Sequence, residues 1–190
     1  MKTARSWVFM GSLLGLASLA SAATAPFVGT LAATDPVFNR PLVGNPPPGL
    51  SGVGTAVSFD VFPFFVTAAD TYSLATLSAN LLPVPADDTF MVLYQTSFSA
   101  TAPLTNVLQA DDDAGPGGLS LITRALVPGT QYVMVVTTFS NSTFGDYTGS
   151  ISNAGAGTAV FGLVPEPSTA LMMLGALAAG GLVAARRRQA

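Results

Sequence analysis

Two groups of aspartates hold the side chains that could do chemistry in this chain. Asp87 and Asp88 form a pair, and Asp111, Asp112 and Asp113 form a run of three. Carboxylate oxygens are the ligands that Ca²⁺ prefers, and a bound cation relieves the repulsion between neighbouring carboxylates. Asp88, Asp112 and Asp113 are therefore the candidate ligands of a calcium site. A solvated acidic turn is the alternative, because the spacing matches no EF-hand loop.

The composition excludes several classes of active site and of partner. The chain has no cysteine and no histidine, which rules out disulfides, His or Cys zinc sites, and Ser-His-Asp or Cys-His catalysis. Between residues 23 and 165, nine aspartates outnumber two arginines, and the resulting charge of −7 disfavours nucleic acid and anionic lipid. A hydrolase that uses only carboxylates would need one of them in a cleft with a raised pKa, which the polar, Gly-rich context disfavours.

The aspartates lie between segments whose pattern is typical of β-strands. From residue 56 to 153, apolar residues recur at alternate positions, turn residues separate the segments, and no run has helical periodicity. The pattern predicts an all-β fold with one β-sandwich domain at residues 25–153, followed by a flexible linker at 154–163. The Pro- and Gly-rich stretch at 40–55 is interpreted as a loop or an ordered lead-in, with a flexible linker as the alternative.

Three tyrosines provide a second type of candidate binding residue. Tyr94, Tyr132 and Tyr147 could stack on sugar rings, but their strand positions also fit core or cross-strand packing. Both interpretations stay open, so a carbohydrate-binding module remains an alternative to a calcium-binding one.

The N-terminus has the three parts of a secretory signal peptide. Lys2 and Arg5 supply the positive charge, residues 7–19 form a short apolar stretch, and residues 20–22 fit a small-residue cleavage site. We therefore assign residues 1–22 to a signal peptide that is cut between Ala22 and Ala23 after passage through the secretion translocon.

The C-terminus, residues 164–190, combines three features in a fixed order. Pro165, Glu166 and Pro167 come first, an uncharged apolar run follows at 170–185, and the arginines Arg186, Arg187 and Arg188 stand near the end. As a helix the run would be about 24 Å long, just short of a relaxed bilayer span. The pattern predicts a single transmembrane helix whose arginines stop transfer and stay in the cytoplasm.

This tail resembles the PEP-CTERM sorting signal of exported proteins of Gram-negative bacteria. The resemblance rests on the Pro165-Glu166-Pro167 tripeptide, the apolar run and the arginine cluster, all in that order. It implies an exosortase partner that recognises and processes the tail. It also implies a precursor anchored in the inner membrane that then reaches the cell surface or the extracellular matrix.

The central domain is similar to the bacterial pre-peptidase C-terminal domain family. The likeness spans about residues 56–152 and rests on Asp88-x-Phe90, the Ala110–Asp113 run, Pro128-Gly129-Thr130-x-Tyr132 and Gly145-x-Tyr147. It implies a jelly-roll-like β-sandwich that serves as an accessory module rather than as a catalyst.

Together these features predict an exported, non-enzymatic protein of the cell surface or of the exopolysaccharide or biofilm matrix, with extracellular polysaccharide as a further partner. The alternatives are a carbohydrate- or calcium-binding accessory module and, third, a carboxylate-only hydrolase.

Overall fold

The computed structural model describes residues 23–83 and 88–165. The predicted signal peptide, Asp87 and the tail from Glu166 onward, including the predicted transmembrane helix at 170–185, lie outside the described residues. Within those two ranges, no helix has the length and apolar character needed to cross a membrane.

The regular structure of the described residues consists almost entirely of β-strands, as the period-two pattern predicts. The strands are β1 Thr24–Leu31, β2 Val37–Phe38, β3 Val57–Ser58, β4 Asp60–Val66, β5 Asp70–Leu82, β6 Thr89–Gln95, β7 Val107–Asp111, β8 Leu121–Leu126, β9 Tyr132–Thr138, β10 Phe144–Asn153 and β11 Ala159–Phe161. One 3₁₀ turn, Pro116–Gly118, stands between β7 and β8.

Two antiparallel sheets pack face to face. One has the order β1-β10-β5-β8, and the other has the order β11-β4-β9-β6-β7. When the short strands β2, β3 and β11 are set aside, eight strands remain, which can be counted from one to eight along the chain. The order across one sheet is then 1-8-3-6 and across the other 2-7-4-5, which is the jelly-roll arrangement. The predicted all-β sandwich is confirmed.

Apolar side chains of both sheets fill the space between them. The alternation of β6 sends Met91 and Leu93 into this main core, where they are fully buried with Met134 and Val136 of β9. The buried side chains of the main core also include Phe27, Leu31, Phe64, Val66, Tyr72, Leu74, Leu81, Ile122, Leu126, Tyr132, Tyr147, Ile151 and Ala159.

A second apolar cluster covers the outer face of the five-stranded sheet. Phe90, Val92 and Tyr94 of β6 point to this face and pack with Phe38 of β2 and Phe98 of a neighbouring loop. The second layer explains why β6 and β9 are buried on both sides instead of alternating between core and solvent.

The Pro- and Gly-rich stretch at 40–55 is an ordered loop of the domain. Pro41 forms a β-bridge with Leu50, and Gly44 and Ala110 exchange two backbone hydrogen bonds of 3.1 and 2.9 Å. The loop therefore adds a short bridge to the edge strand β7, and the flexible-linker alternative for this stretch is wrong.

The predicted linker at 154–163 is also wrong, because this segment closes the five-stranded sheet. Residues 159–161 form β11, which pairs antiparallel with β4, with Val160 opposite Phe65. Before it, Gly157 lies directly against the hydroxyl of Tyr72, a position that leaves no room for a side chain. The small residues that suggested flexibility are instead those that let the chain pack closely.

Candidate cation site

The three aspartates chosen from the sequence meet at one end of the five-stranded sheet. Asp88 directly precedes β6, and Asp112 and Asp113 directly follow β7. Since β6 and β7 are antiparallel neighbours, with Met91 opposite Asp111, the start of one strand lies beside the end of the other. One carboxylate oxygen from each of the three aspartates lies within 4.8 Å of the other two.

A buried hydroxyl cluster holds this end of the sandwich in place. Thr89, the residue after Asp88, lies 2.8 Å from Thr76 and 3.2 Å from Ser120, measured between side-chain oxygens. The Ser120 backbone N–H donates to both threonine hydroxyls, and its own hydroxyl donates to the Thr89 carbonyl at 2.9 Å. These bonds join β5, the start of β6 and the end of the acidic loop, and so fix the positions of the carboxylates.

Asp111 has a structural role that differs from that of the other two aspartates in its run. Its Oδ2 accepts hydrogen bonds from the backbone N–H groups of Ala114 at 3.2 Å and Leu121 at 2.8 Å. Asp111 therefore closes the base of the loop, which leaves Asp112 and Asp113 to face Asp88.

The carboxylates open into a cavity of about 250 Å³. The cavity is lined by Asp88, Asp112, Asp113, Gly117, Gly118 and Phe139. Gly117 and Gly118 have φ angles of 71° and 85°, in the left-handed region that glycine adopts without strain. The glycines thus let the loop turn back and form a wall of the cavity without side chains.

Burial and mutual repulsion disfavour the charged form of the carboxylates. Burial, followed by the charges of Asp113 and Asp88, raises the pKa of Asp112 to about 7. Burial and Asp113 also raise the pKa of Asp88. The Oδ1 atom of Asp112 is buried and has no hydrogen-bond partner in the described part of the chain. A bound cation would lie against this unpaired acceptor and reverse both pKa shifts.

A buried arginine that the sequence analysis did not select stands next to the aspartates. Arg40 is only 2% exposed, and its guanidinium lies 4.0 Å from the ring centre of Phe90 and 4.6 Å from that of Phe139. Its Nε donates to the Phe139 carbonyl at 3.0 Å, and one terminal nitrogen donates to the Pro41 carbonyl at 3.1 Å. The charge of Arg40 partly counteracts the rise in the pKa values of Asp112 and Asp88.

The tyrosines considered for sugar stacking belong to the interior. Tyr94, Tyr132 and Tyr147 are buried, and each hydroxyl has a protein partner: the Pro103 carbonyl, the Val127 N–H and the Asp60 carboxylate, respectively. The interpretation of these three residues as a sugar-binding surface is wrong, because their rings are covered by protein.

The chain remains attached to the domain up to the sorting motif. The Gln131 side chain donates to the carbonyls of Phe64 at 3.0 Å and Gly162 at 3.3 Å, and its Oε1 accepts the Val164 N–H at 2.7 Å. Pro165, the last described residue, is exposed directly beyond this attachment. Glu166, Pro167, Arg186, Arg187 and Arg188 lie outside the described residues, as does Ala22, whereas Ala23 is the first residue described.

The pKa shift of Asp112 predicts a pH-dependent stability of the cation-free protein. Asp112 binds its proton more tightly in the folded state, with a pKa of about 7, than in the unfolded chain. Its contribution to the free energy of unfolding is therefore complete below about pH 4 and is lost as the pH rises through about 7. Thermal unfolding in a chelator should show this loss for the wild type, whereas Asp112→Asn should show less of it.

The wild type must be compared with Asp112→Asn because other aspartates also make the stability depend on pH. The pKa values of Asp88 and Asp60 are raised, and the pKa of Asp70 is lowered. Only the difference between the two pH profiles reports on Asp112. Parallel profiles from pH 4 to 8 would contradict the proposed electrostatics of the cluster.

Comparison with known proteins identifies the sorting motif of the tail and finds structures with a similar fold. The model of the PEP-CTERM protein-sorting motif matches residues 163–188, which confirms the resemblance inferred for the tail and implies export with exosortase as the processing partner. A search of curated proteins finds no match. Among solved structures, the fold is similar to the pre-peptidase C-terminal domain of collagenase from Bacillus anthracis, at 16% identity and a TM-score of 0.42, covering 68% of this chain and 89% of that one.

Proposed function

We propose that this chain is an exported, non-enzymatic protein of the cell surface or of the exopolysaccharide or biofilm matrix of a Gram-negative bacterium. In this account the translocon exports it, the apolar run at 170–185 anchors the precursor in the inner membrane, and an exosortase then processes the tail. The match of the sorting motif to residues 163–188 is the observation that carries the proposal.

The fold supports this route because the domain ends where the sorting motif begins. The Gln131 side chain holds the backbone at Gly162 and Val164, and Pro165 is exposed. An exosortase therefore meets the motif beside a compact β-sandwich that protects the preceding backbone in hydrogen bonds. In cells without exosortase activity, the protein should remain in the inner membrane. Unchanged amounts at the surface would contradict the sorting route.

Asp112 has the raised pKa and the cavity that a carboxylate-only hydrolase would need, so the non-enzymatic assignment rests on the other groups around the acidic cluster. Its cavity wall continues with Gly117, Gly118 and the ring of Phe139, and Arg40 is buried and directs two of its N–H donors to carbonyl oxygens. This lining offers a cation oxygen ligands but offers a substrate few orienting groups. Turnover of a glycoside that is lost in Asp112→Asn would instead support the hydrolase alternative.

Calcium binding is a second function that the acidic cluster favours. Three carboxylates share one cavity, and one of their oxygens is buried without a hydrogen-bond partner. A cation that binds only the folded state stabilises it by an amount that grows with its concentration, about 2.7 kcal/mol at roughly 100 times the Kd. In a surface protein this would couple the stability of the domain to the calcium of the surrounding medium.

Calcium titration of the unfolding temperature tests this second function. The wild type should gain several degrees at saturating Ca²⁺, while Asp112→Asn and Asp113→Asn should lose most of that gain. Asp146→Asn is the matched control, because Asp146 is exposed on β10 and bonds to Thr30 outside the cluster. An equal calcium response in all variants would contradict the assignment of this site.

A further inference from the structure

An apolar groove that is separate from the acidic cluster opens between the edge strands of the two sheets. It has a volume of about 440 Å³ and lies where β1 of one sheet approaches β11 and β4 of the other. Its lining is entirely apolar and consists of Pro26, Phe27, Val28, Phe62 and Phe161. Among residues 23–83 and 88–165, neither β1 nor β11 has a second neighbour in its sheet, so the groove runs along the edge of both sheets.

Three aromatic rings form the floor of the groove. The ring centre of Phe62 lies 5.2 Å from that of Phe27 and 6.0 Å from that of Phe161. On the lining, Val28 is 70% and Phe161 is 36% exposed to solvent. Two residues close to Phe161 in the chain, Val160 and Leu163, are 38% and 74% exposed. An exposed apolar groove of this kind usually has a partner, since exposing it to water is unfavourable.

The position of the groove relative to the tail indicates what that partner is. The chain passes from Phe161 in the groove to Val164, where Gln131 holds it to the sheet. The apolar run begins at residue 170, so six Cα-to-Cα steps separate the attachment at Val164 from the start of the proposed membrane span. Fully extended, that length of chain reaches about 20 Å at most, which keeps this side of the domain close to the bilayer.

The acidic cluster lies at the opposite end of the five-stranded sheet. On the groove side, Phe161 pairs with Phe64, and Phe64 pairs in turn with Tyr132 at the start of β9. On the cluster side, Asp88 directly precedes Thr89, which pairs with Thr138 at the end of β9. Six residue-to-residue steps along β9 separate these two levels, a distance of about 20 Å. Asp70 lies toward the near end, but it belongs to the other sheet. An uncharged aromatic surface thus lies near the tail, and the acidic cluster lies away from it.

We propose that in the anchored precursor this groove contacts the bilayer, with Val28, Phe161 and Leu163 in the interfacial region of zwitterionic phospholipid. The inference rests on the membrane anchoring in the proposed function and adds the surface through which the domain lies on the membrane. Apolar and aromatic side chains in the interface gain free energy in proportion to the area they bury. Removal of the tail would end this contact, so the processed domain would leave the membrane.

A tryptophan placed in the groove tests the contact, because the chain has a single native tryptophan, Trp7, which Trp7→Phe removes. The full chain carrying Phe161→Trp is reconstituted into phosphatidylcholine vesicles with brominated acyl chains. We expect quenching by brominated lipid to be about twofold or more stronger than for Leu77→Trp, because interfacial groups lie ~5–10 Å deep. Leu77 is 60% exposed on β5 of the other sheet and is the matched control.

Val28→Trp provides a second groove reporter in case Phe161→Trp disturbs folding, and it should behave in the same way. Equal quenching of groove and control tryptophans in protein that floats with the vesicles would overturn the proposed contact. A groove emission that depends on protein concentration rather than on lipid would also overturn it, in favour of a second copy of this chain. Failure of every variant to float with the vesicles would instead contradict the anchoring on which the inference rests.

Discussion

Replacement of Arg186, Arg187 and Arg188 by glutamine should lower the amount of this protein at the cell surface by about tenfold or more. The arginines are expected to stop transfer and to keep the chain end in the cytoplasm while the short apolar run spans the bilayer. Without the arginines, the apolar run has no positive charge to retain its C-terminal end in the cytoplasm, so the sorting motif is no longer held at the membrane. Quantitative immunodetection of surface, periplasmic and inner-membrane fractions measures the change.

Replacement of the same three residues by lysine separates charge from side-chain identity. Lysine preserves the positive charge, so the membrane topology should be unchanged. Normal surface display of the lysine variant would indicate that charge alone is required. Normal display of the glutamine variant would mean that the arginines are not part of the signal.

Arg40→Met should produce the largest loss of stability among single substitutions near the acidic cluster, about 3 kcal/mol in the free energy of unfolding. Arg40 is buried between Phe90 and Phe139, and the substitution removes its two hydrogen bonds to carbonyl oxygens. It also removes the positive charge that offsets the repulsion among the aspartates. Chemical denaturation of the calcium-free protein measures the effect.

Two further variants show whether the effect comes from charge. Combining Arg40→Met with Asp112→Asn should cost less than the sum of the two changes, because the second removes part of the uncompensated negative charge. Arg124→Met is the matched control and should cost under about 1 kcal/mol, since a pairing with an exposed partner contributes little. Arg124 is only partly buried and donates to Asn45 and the Leu108 carbonyl. Additive costs would indicate that Arg40 acts through packing and its hydrogen bonds rather than through its charge.

The sequence was most informative where the local pattern and the tertiary structure agree. The alternation in β9 predicts a strand, and the acidic residues that flank β6 and β7 predict a shared site at one sheet edge. The structure brings Asp88, Asp112 and Asp113 within 4.8 Å, whereas the binding of calcium there stays a prediction. Strand order could not be derived because it depends on pairings between residues far apart in the chain, such as Thr24 with Ser152.

The features that the sequence did not reveal depend on contacts that have no local pattern. Residues 154–158 are mostly small and suggest a linker, yet Gly155 and Gly157 pack against Asp70 and Tyr72 and lead into β11. The role of Arg40 depends on two phenylalanine rings supplied by separate segments of the chain. A lone arginine in a Pro- and Gly-rich stretch is a weak signal, although it is one of only two basic residues between positions 23 and 165.

The intact mass of the protein from its producing cells, measured for each cell fraction, tests the central claim of exosortase-dependent sorting most directly. The account predicts a surface form that begins at Ala23 and ends near Pro165, Glu166 and Pro167, with or without an added group at that end. A single form that retains Arg186, Arg187 and Arg188 in the inner membrane would contradict the claim and would leave a tail-anchored β-sandwich domain.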